Sequence, residues 1–228
     1  MFINYLNIGA LSVKNCKYIY FFYILMRKTI IWGYMTNNIL DTIMFHGITN
    51  KIKTQIKDAC PLIIVGLGNG QYFFDSFGCD CINRLSWAFN VRLKERKLLI
   101  RHGRFKAVGI NTYIGNVKTK NKNCILMQIC PQNCKNLTDF AHFLHNTYKN
   151  AKILVIDSSL NIKGKTPPAL VSKNVGIVPR GAFSTAPPFG DLSLTCVSGN
   201  AHPYKFFNAF VLKRQTIKAA EILTAALT

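Results

Sequence analysis

Hydrophobic and polar positions fall into a regular order from Cys60 onward, with short apolar runs alternating with segments of helical period. Residues 61–67, PLIIVGL, predict a buried strand. Asp75 to Phe89 predicts a helix, with Phe77, Ile82, Leu85 and Phe89 near one face. The basic stretch 92–106, RLKERKLLIRHGRFK, reads as a hairpin or a connection, and CILMQI at 124–129 as the next strand. Residues 136–150, NLTDFAHFLHNTYKN, predict an amphipathic helix with Leu137, Phe140, Leu144 and Tyr148 turned inward and Asn136 or Thr138 as its cap. KILVID, 152–157, predicts a central strand that stays apolar up to its carboxyl end, where Asp157 appears. Gly/Pro-rich loops over 164–190 surround a short strand near Val171, and DLSLTCV at 191–197 alternates as a strand. A long helix from about Pro203 closes the chain. Phe207, Phe210, Ile217, Ala220 and Leu227 keep its inward period, and Lys213, Arg214 and Lys218 face water.

Strand and helix in this alternation predict an α/β fold, a three-layer α/β/α sandwich with a mostly parallel sheet. The chain has 228 residues, room for one domain and a shorter appendage, and no internal repeat is visible. The domain is placed at 60–228 and an apolar, basic extension at 1–59. Within that extension YIYFFYILM (18–26) is followed by Arg27 and Lys28 before TIIWGYM resumes, so neither half reaches the roughly 20 apolar residues of a bilayer span. Bulky aromatics and the lack of a small-residue cleavage site argue against a signal peptide. Three readings stay open: an interfacial membrane anchor over residues 18–35, an N-terminal helix packing on the domain, or upstream sequence translated from a start other than the natural one. The third is favoured, with Met26, Met35 and Met44 as later starts.

Lys and Arg number 29 against 9 Asp and Glu, a formal net charge of +20, which favours anionic partners. The basic residues are dispersed, and no helix-turn-helix, zinc-finger or RNP-type signature accompanies them, so a nucleic-acid partner is a secondary reading. Eight cysteines at irregular spacing read as reduced thiols. Cys79/Cys81 and Cys130/Cys134 form a zinc site only if the fold joins two pairs that both lack the usual two-residue gap.

In a chain so poor in acid, two carboxylates stand out. Asp75 follows a strand, two glycines (Gly66 and Gly68) and a loop, just where a helix begins; Asp157 ends the central strand. In an open parallel sheet ligands bind beyond the carboxyl ends of the strands, where loops converge and helix N-termini point inward. Each aspartate alone has an ordinary structural reading, Asp75 as an N-cap and Asp157 as a turn residue. Together they predict a pair at one rim.

VGLGNGQYFFDSFG resembles the opening motif of the spore germination protease, in which a strand, Gly-x-Gly-Asn and a fixed gap lead to Asp and then Gly, and hydrogenase maturation proteases share the layout. ILVIDSSL looks like the strand-end Asp motif of both. The final third, VPRGAFSTAPPFGDLSLTCVSGN with FFNAFVLKRQTIKAAEIL, is most similar to the YyaC-like putative sporulation family, with Gly181, Pro188, Gly190 and Asp191 at matching positions. The resemblance covers about residues 60–227, and Cys79 departs from it by standing where those families carry Pro. It implies a HybD-like, phosphorylase/hydrolase-like sandwich that hydrolyses peptide bonds in a protein or peptide substrate, including spore proteins, in the cytoplasm of a forespore or sporulating cell. Asp75 and Asp157 would be the catalytic pair, one protonated and one activating water. Gly68, Asn69, Gly181 and Asp191 would line the substrate site, although Asp191 reads more readily as a structural acceptor for the turn before it. No cofactor is implied; a divalent metal at Asp75/Asp157 is the alternative, since in the hydrogenase maturation relatives the equivalent acids, with a His, contact a metal at the substrate. His142, His145 and His202 read as surface or structural. A non-catalytic relative that keeps the sandwich as a binding module of the spore is the competing reading.

Overall fold

The computed structural model describes residues 41–68, 75–102, 106–119, 122–129, 134–161, 169–178, 188–199 and 205–228. One compact unit runs from Phe45 to Thr228. A helix over 41–55 (α1) leads into it, and Ile52 and Ile56 are wholly buried in its core. The domain boundary read at residue 60 therefore moves upstream, because an apolar pair one helical turn apart supplies core that the sandwich needs. Residues 18–35 lie outside the described residues. No helix among the described residues is long and apolar enough to cross a membrane.

The strands are β1 (Leu62–Leu67), β2 (Lys94–His102), β3 (Lys106–Lys118), β4 (Asn123–Ile129), β5 (Lys152–Asn161), β6 (Ala169–Lys173) and β7 (Leu192–Gly199). The helices after α1 are α2 (Phe77–Ala88), α3 (Cys134–Thr147) and α4 (Lys205–Leu227). The sheet order is β2-β3-β4-β1-β5-β7-β6. β4, β1, β5 and β7 run parallel, and antiparallel strands flank them, β2 and β3 at one edge and β6 at the other. The mostly parallel sheet is thus parallel in its centre and mixed overall. The basic stretch 92–106 resolves as the first arm of the β2–β3 hairpin, with Lys94 opposite Ile114 and His102 opposite Lys106.

Side chains alternate across the strands and fill two cores, one on each face. Leu62 and Ile64 of β1, Leu154 and Ile156 of β5 and Leu194 of β7 join α1, α2 and α4; Ile63, Val65, Ile153 and Val155 join Phe140 and Leu144 of α3. Helices on both faces make this a three-layer α/β/α sandwich.

Local boundaries differ from expectation in three places. α3 begins at Cys134, so Asn136 and Thr138 lie within the helix and do not cap it. In α4, Ile217 is 36% exposed while Thr216 is buried, because the Thr216 hydroxyl donates to the Leu212 carbonyl (3.0 Å) and so enters the core with its polar group satisfied. Lys218 is half-buried, not fully in water.

Two lysines from the amino ends of β4 and β5, the strands on either side of β1, close the carboxyl end of α1. Lys152 donates to the Gln55 carbonyl at 2.6 Å, and Lys122 donates to the carbonyls of Ile56 and of Lys57, the latter at 3.0 Å. Cations there bond the last carbonyls of the helix end, of which that of Ile56 also accepts the Ala59 N–H at 3.0 Å, and oppose the negative pole of the helix. Lys122→Met and Lys152→Met are each expected to lower the unfolding free energy by about 1–2 kcal/mol, read by urea denaturation. The double variant should fall short of additivity, since both amines serve one helix end.

Candidate active site

The first turn of α2 presses directly on two strands, and glycine makes this possible. A Cβ on Gly78 would overlap the carbonyl oxygens of Leu67 and Ile156, and one on Gly66 would overlap the Gly78 carbonyl. Only a helix and strands bare of Cβ atoms can approach so closely. Gly68 has φ 135°, and a Cβ there would overlap the Asp75 carbonyl oxygen, so the chain leaves β1 and returns to α2 at nearly the same point. Two further bonds fix the turn: the Gln128 side chain at the end of β4 donates to the Cys79 carbonyl (2.8 Å) and to Asn83 Oδ1 (2.6 Å). The Cys79 thiol points at the Gly68 carbonyl, 3.3 Å away.

Asp75 lies two residues before α2, is exposed, and has its main chain against Gly68. Ser76, and not Asp75, holds the N-cap position, and its hydroxyl is turned to Asp80 Oδ2 at 2.8 Å. Asp157 is not at the end of its strand: β5 continues to Asn161, paired with β7 from Asp157 opposite Thr195 to Asn161 opposite Gly199. Its neighbour β1 stops earlier, with Gly66 opposite Ile156 as their last pair. Asp157 therefore stands one residue beyond the β1–β5 ladder, at the carboxyl rim beside the Gly78 turn.

Asp157 keeps some contact with solvent as a residue, but its carboxyl is more enclosed, and burial pushes that carboxyl from the usual 3.8 up to about 7. The Ser158 N–H, donating to Oδ1 at 2.7 Å, favours the charged form and opposes the shift. The like charge of Asp75 adds a smaller upward push. Of the two carboxyl-bearing residues at this rim, Asp157 is thus the more enclosed and Asp75 the exposed one.

The remaining candidates divide. Gly68 lies at this rim; Asn69 and Gly181 lie outside the described residues. Asp191 is elsewhere. Its Oδ2 accepts the Ile153 N–H (2.8 Å) and its own N–H donates to the Ile153 carbonyl (2.9 Å), which joins β7 to the amino end of β5, at the opposite rim from Asp157. The acceptor role expected of Asp191 is present, directed at β5 and not at the turn before it. Among the described residues no three His, Cys, Asp or Glu side chains gather in a way that could hold a metal ion. Cys81 is buried, its thiol toward the Thr216 carbonyl at 3.8 Å, whereas Cys79 faces the rim; Cys130 lies outside the described residues.

Sequence reasoning missed Gln128. The one visible signal was a lone amide inside the apolar run CILMQI, which marks a buried polar group that must find partners.

No protein-family model and no curated relative matches the chain. Among solved structures it is similar to a [NiFe] hydrogenase maturation protease from Thermococcus kodakarensis, with 16% identity over 75% of this chain and 97% of that one and a TM-score of 0.39. It is also similar to the peptidyl-tRNA hydrolase of Acinetobacter baumannii, with 15% identity over 71% and 81% of the two chains and a TM-score of 0.40. The futalosine hydrolase of Helicobacter pylori matches at 12% identity over 73% and 98%, with a TM-score of 0.44. These are likenesses of scaffold, and no residue role passes from them to this chain.

Proposed function

We propose that this chain is a hydrolase of peptide bonds that works through the carboxylates of Asp75 and Asp157. The observation that carries the reading is the division between the two acids: burial holds Asp157 protonated up to about pH 7, while Asp75 is exposed at the same rim. A pair so divided supplies an acid and a base at once. Asp75 would take a proton from a water attacking the scissile carbonyl carbon, and Asp157 would give its proton to the departing amide nitrogen. The substrate is a protein or peptide; the sporulation setting implied by the motif resemblance is the finer part of the proposal and makes spore proteins the first substrates to try.

The test is incubation of the native chain, Asp75→Asn and Asp157→Asn with candidate spore proteins, with cleavage mapped by mass spectrometry across pH 5–9. Cleavage by the native chain alone, falling as pH rises through about 7, is expected, because ionisation of Asp157 removes the acid. Equal cleavage by all three, or by none, removes the enzyme reading and leaves the sandwich as a non-catalytic binding module.

A further inference from the structure

A groove of about 240 Å³ starts at Ser76, next to Asp75, and runs along the helices between α2 and α4, lined by Ser76, Asp80, Arg84, Trp87, Leu212 and Lys213, among others. Most of its polar groups are already engaged within the fold. The Ser76 hydroxyl bonds Asp80, the Asn83 amide oxygen accepts from Gln128, and the Thr216 hydroxyl bonds the Leu212 carbonyl. Arg84 and Lys213 differ, since among the described residues neither is held by an ion pair or hydrogen bond, although Arg84 is half-buried. Beside them Trp87 is 73% exposed, the most open of the large apolar side chains described.

A tryptophan left open beside two unengaged cations is the composition of an interface anchor. Volume narrows the occupant: drug-sized ligands occupy roughly 300–1,000 Å³, and this smaller groove fits one or two side chains. Charge narrows it further. The chain carries +20, so a second copy of itself would be repelled and an acidic partner attracted. Within the groove Arg84 and Lys213 outnumber Asp80, whose carboxylate already accepts from the Ser76 hydroxyl, so the local charge is positive.

We propose that the α2–α4 groove docks an acidic segment of a partner protein. One aromatic or aliphatic side chain of that segment sits against Trp87 and Leu212, and its flanking carboxylates meet Arg84 and Lys213. Docking here does not depend on the Asp75/Asp157 chemistry and holds whether or not that chemistry operates.

The experiment pans a random library of short displayed peptides on the full chain and measures the affinity of the enriched peptides by fluorescence polarisation. Enrichment of Asp and Glu around one aromatic or leucine is expected, with binding that weakens as salt rises. Trp87→Ala, and separately Arg84→Glu with Lys213→Glu, should each weaken binding at least about tenfold, while Asp157→Asn leaves it unchanged. Trp87, Arg84 and Lys213 keep solvent contact, so unchanged urea midpoints of the groove variants would show that the fold is intact. Peptides without this charge and side-chain pattern, equal affinity for the groove variants, loss on Asp157→Asn, or binding of a single-stranded oligonucleotide where the peptides fail would each overturn the proposal.

Discussion

Asp157→Asn is expected to make the protein more stable at pH 8 while abolishing any hydrolysis. The sign follows from where the proton sits. The folded-state carboxyl titrates near 7 and the unfolded one near 3.8, so between these values the native state holds a proton that the unfolded state has released. Stability contributed by the neutral carboxyl is complete below pH 3.8 and is lost as pH rises through about 7. Three pKa units correspond to roughly 4 kcal/mol, and relaxation around the charged form leaves about 2–4 kcal/mol. Asparagine keeps the acceptor for the Ser158 N–H without ever acquiring the charge. Urea unfolding from pH 4 to 9 should show the native chain losing stability across this window and the variant holding level relative to it. Parallel curves would mean that Asp157 is not kept protonated. Stability gained where activity disappears is the mark of a site built at the expense of the fold.

Gly78→Ala is expected to cost at least about 3 kcal/mol, or to prevent folding. The added carbon would collide with the carbonyl oxygens of Leu67 and Ile156 and lie 2.7 Å from the Leu67 nitrogen. All three are backbone atoms of buried strands, so no rotamer change relieves the overlap. Gly47 in α1 provides the control, because a Cβ there meets nothing within 4 Å. Gly47→Ala should be neutral or stabilising by up to about 1 kcal/mol, since alanine loses less backbone entropy in a helix. Urea midpoints of the two variants check both outcomes.

Most of the parallel centre was legible because its strands are near-continuous apolar runs and its helices keep a 3.6-residue period. PLIIVGL, CILMQI and KILVID correspond to β1, β4 and β5, and the stripe Phe77, Ile82, Leu85 was recognised as one face of α2. The β2–β3 hairpin was half-legible. β2 is basic because it is an edge strand, and edges carry charge to discourage further pairing. β3 contains Gly115 inside its run, where the side chains of Val91 and Leu93 leave no room for a Cβ, and glycine reads in sequence as a break.

Both carboxylates were identified from scarcity and position, but their setting was not. Nothing in KILVID indicates that β5 outruns β1 and so leaves Asp157 inside one ladder and beyond another; that requires the register of a partner 90 residues away. Asp191 also reads in sequence as a lining residue of the site, yet parallel pairing sends the start of β7 to the start of β5, at Ile153, four residues before Asp157. A linear motif does not distinguish the two rims of a sheet.

The contact of Gly68 with Asp75 pins together the two ends of the segment between them. The Asp75 main chain is therefore tethered to the end of β1, so any displacement of that strand end would carry the acid with it, and the rim would shift as one piece.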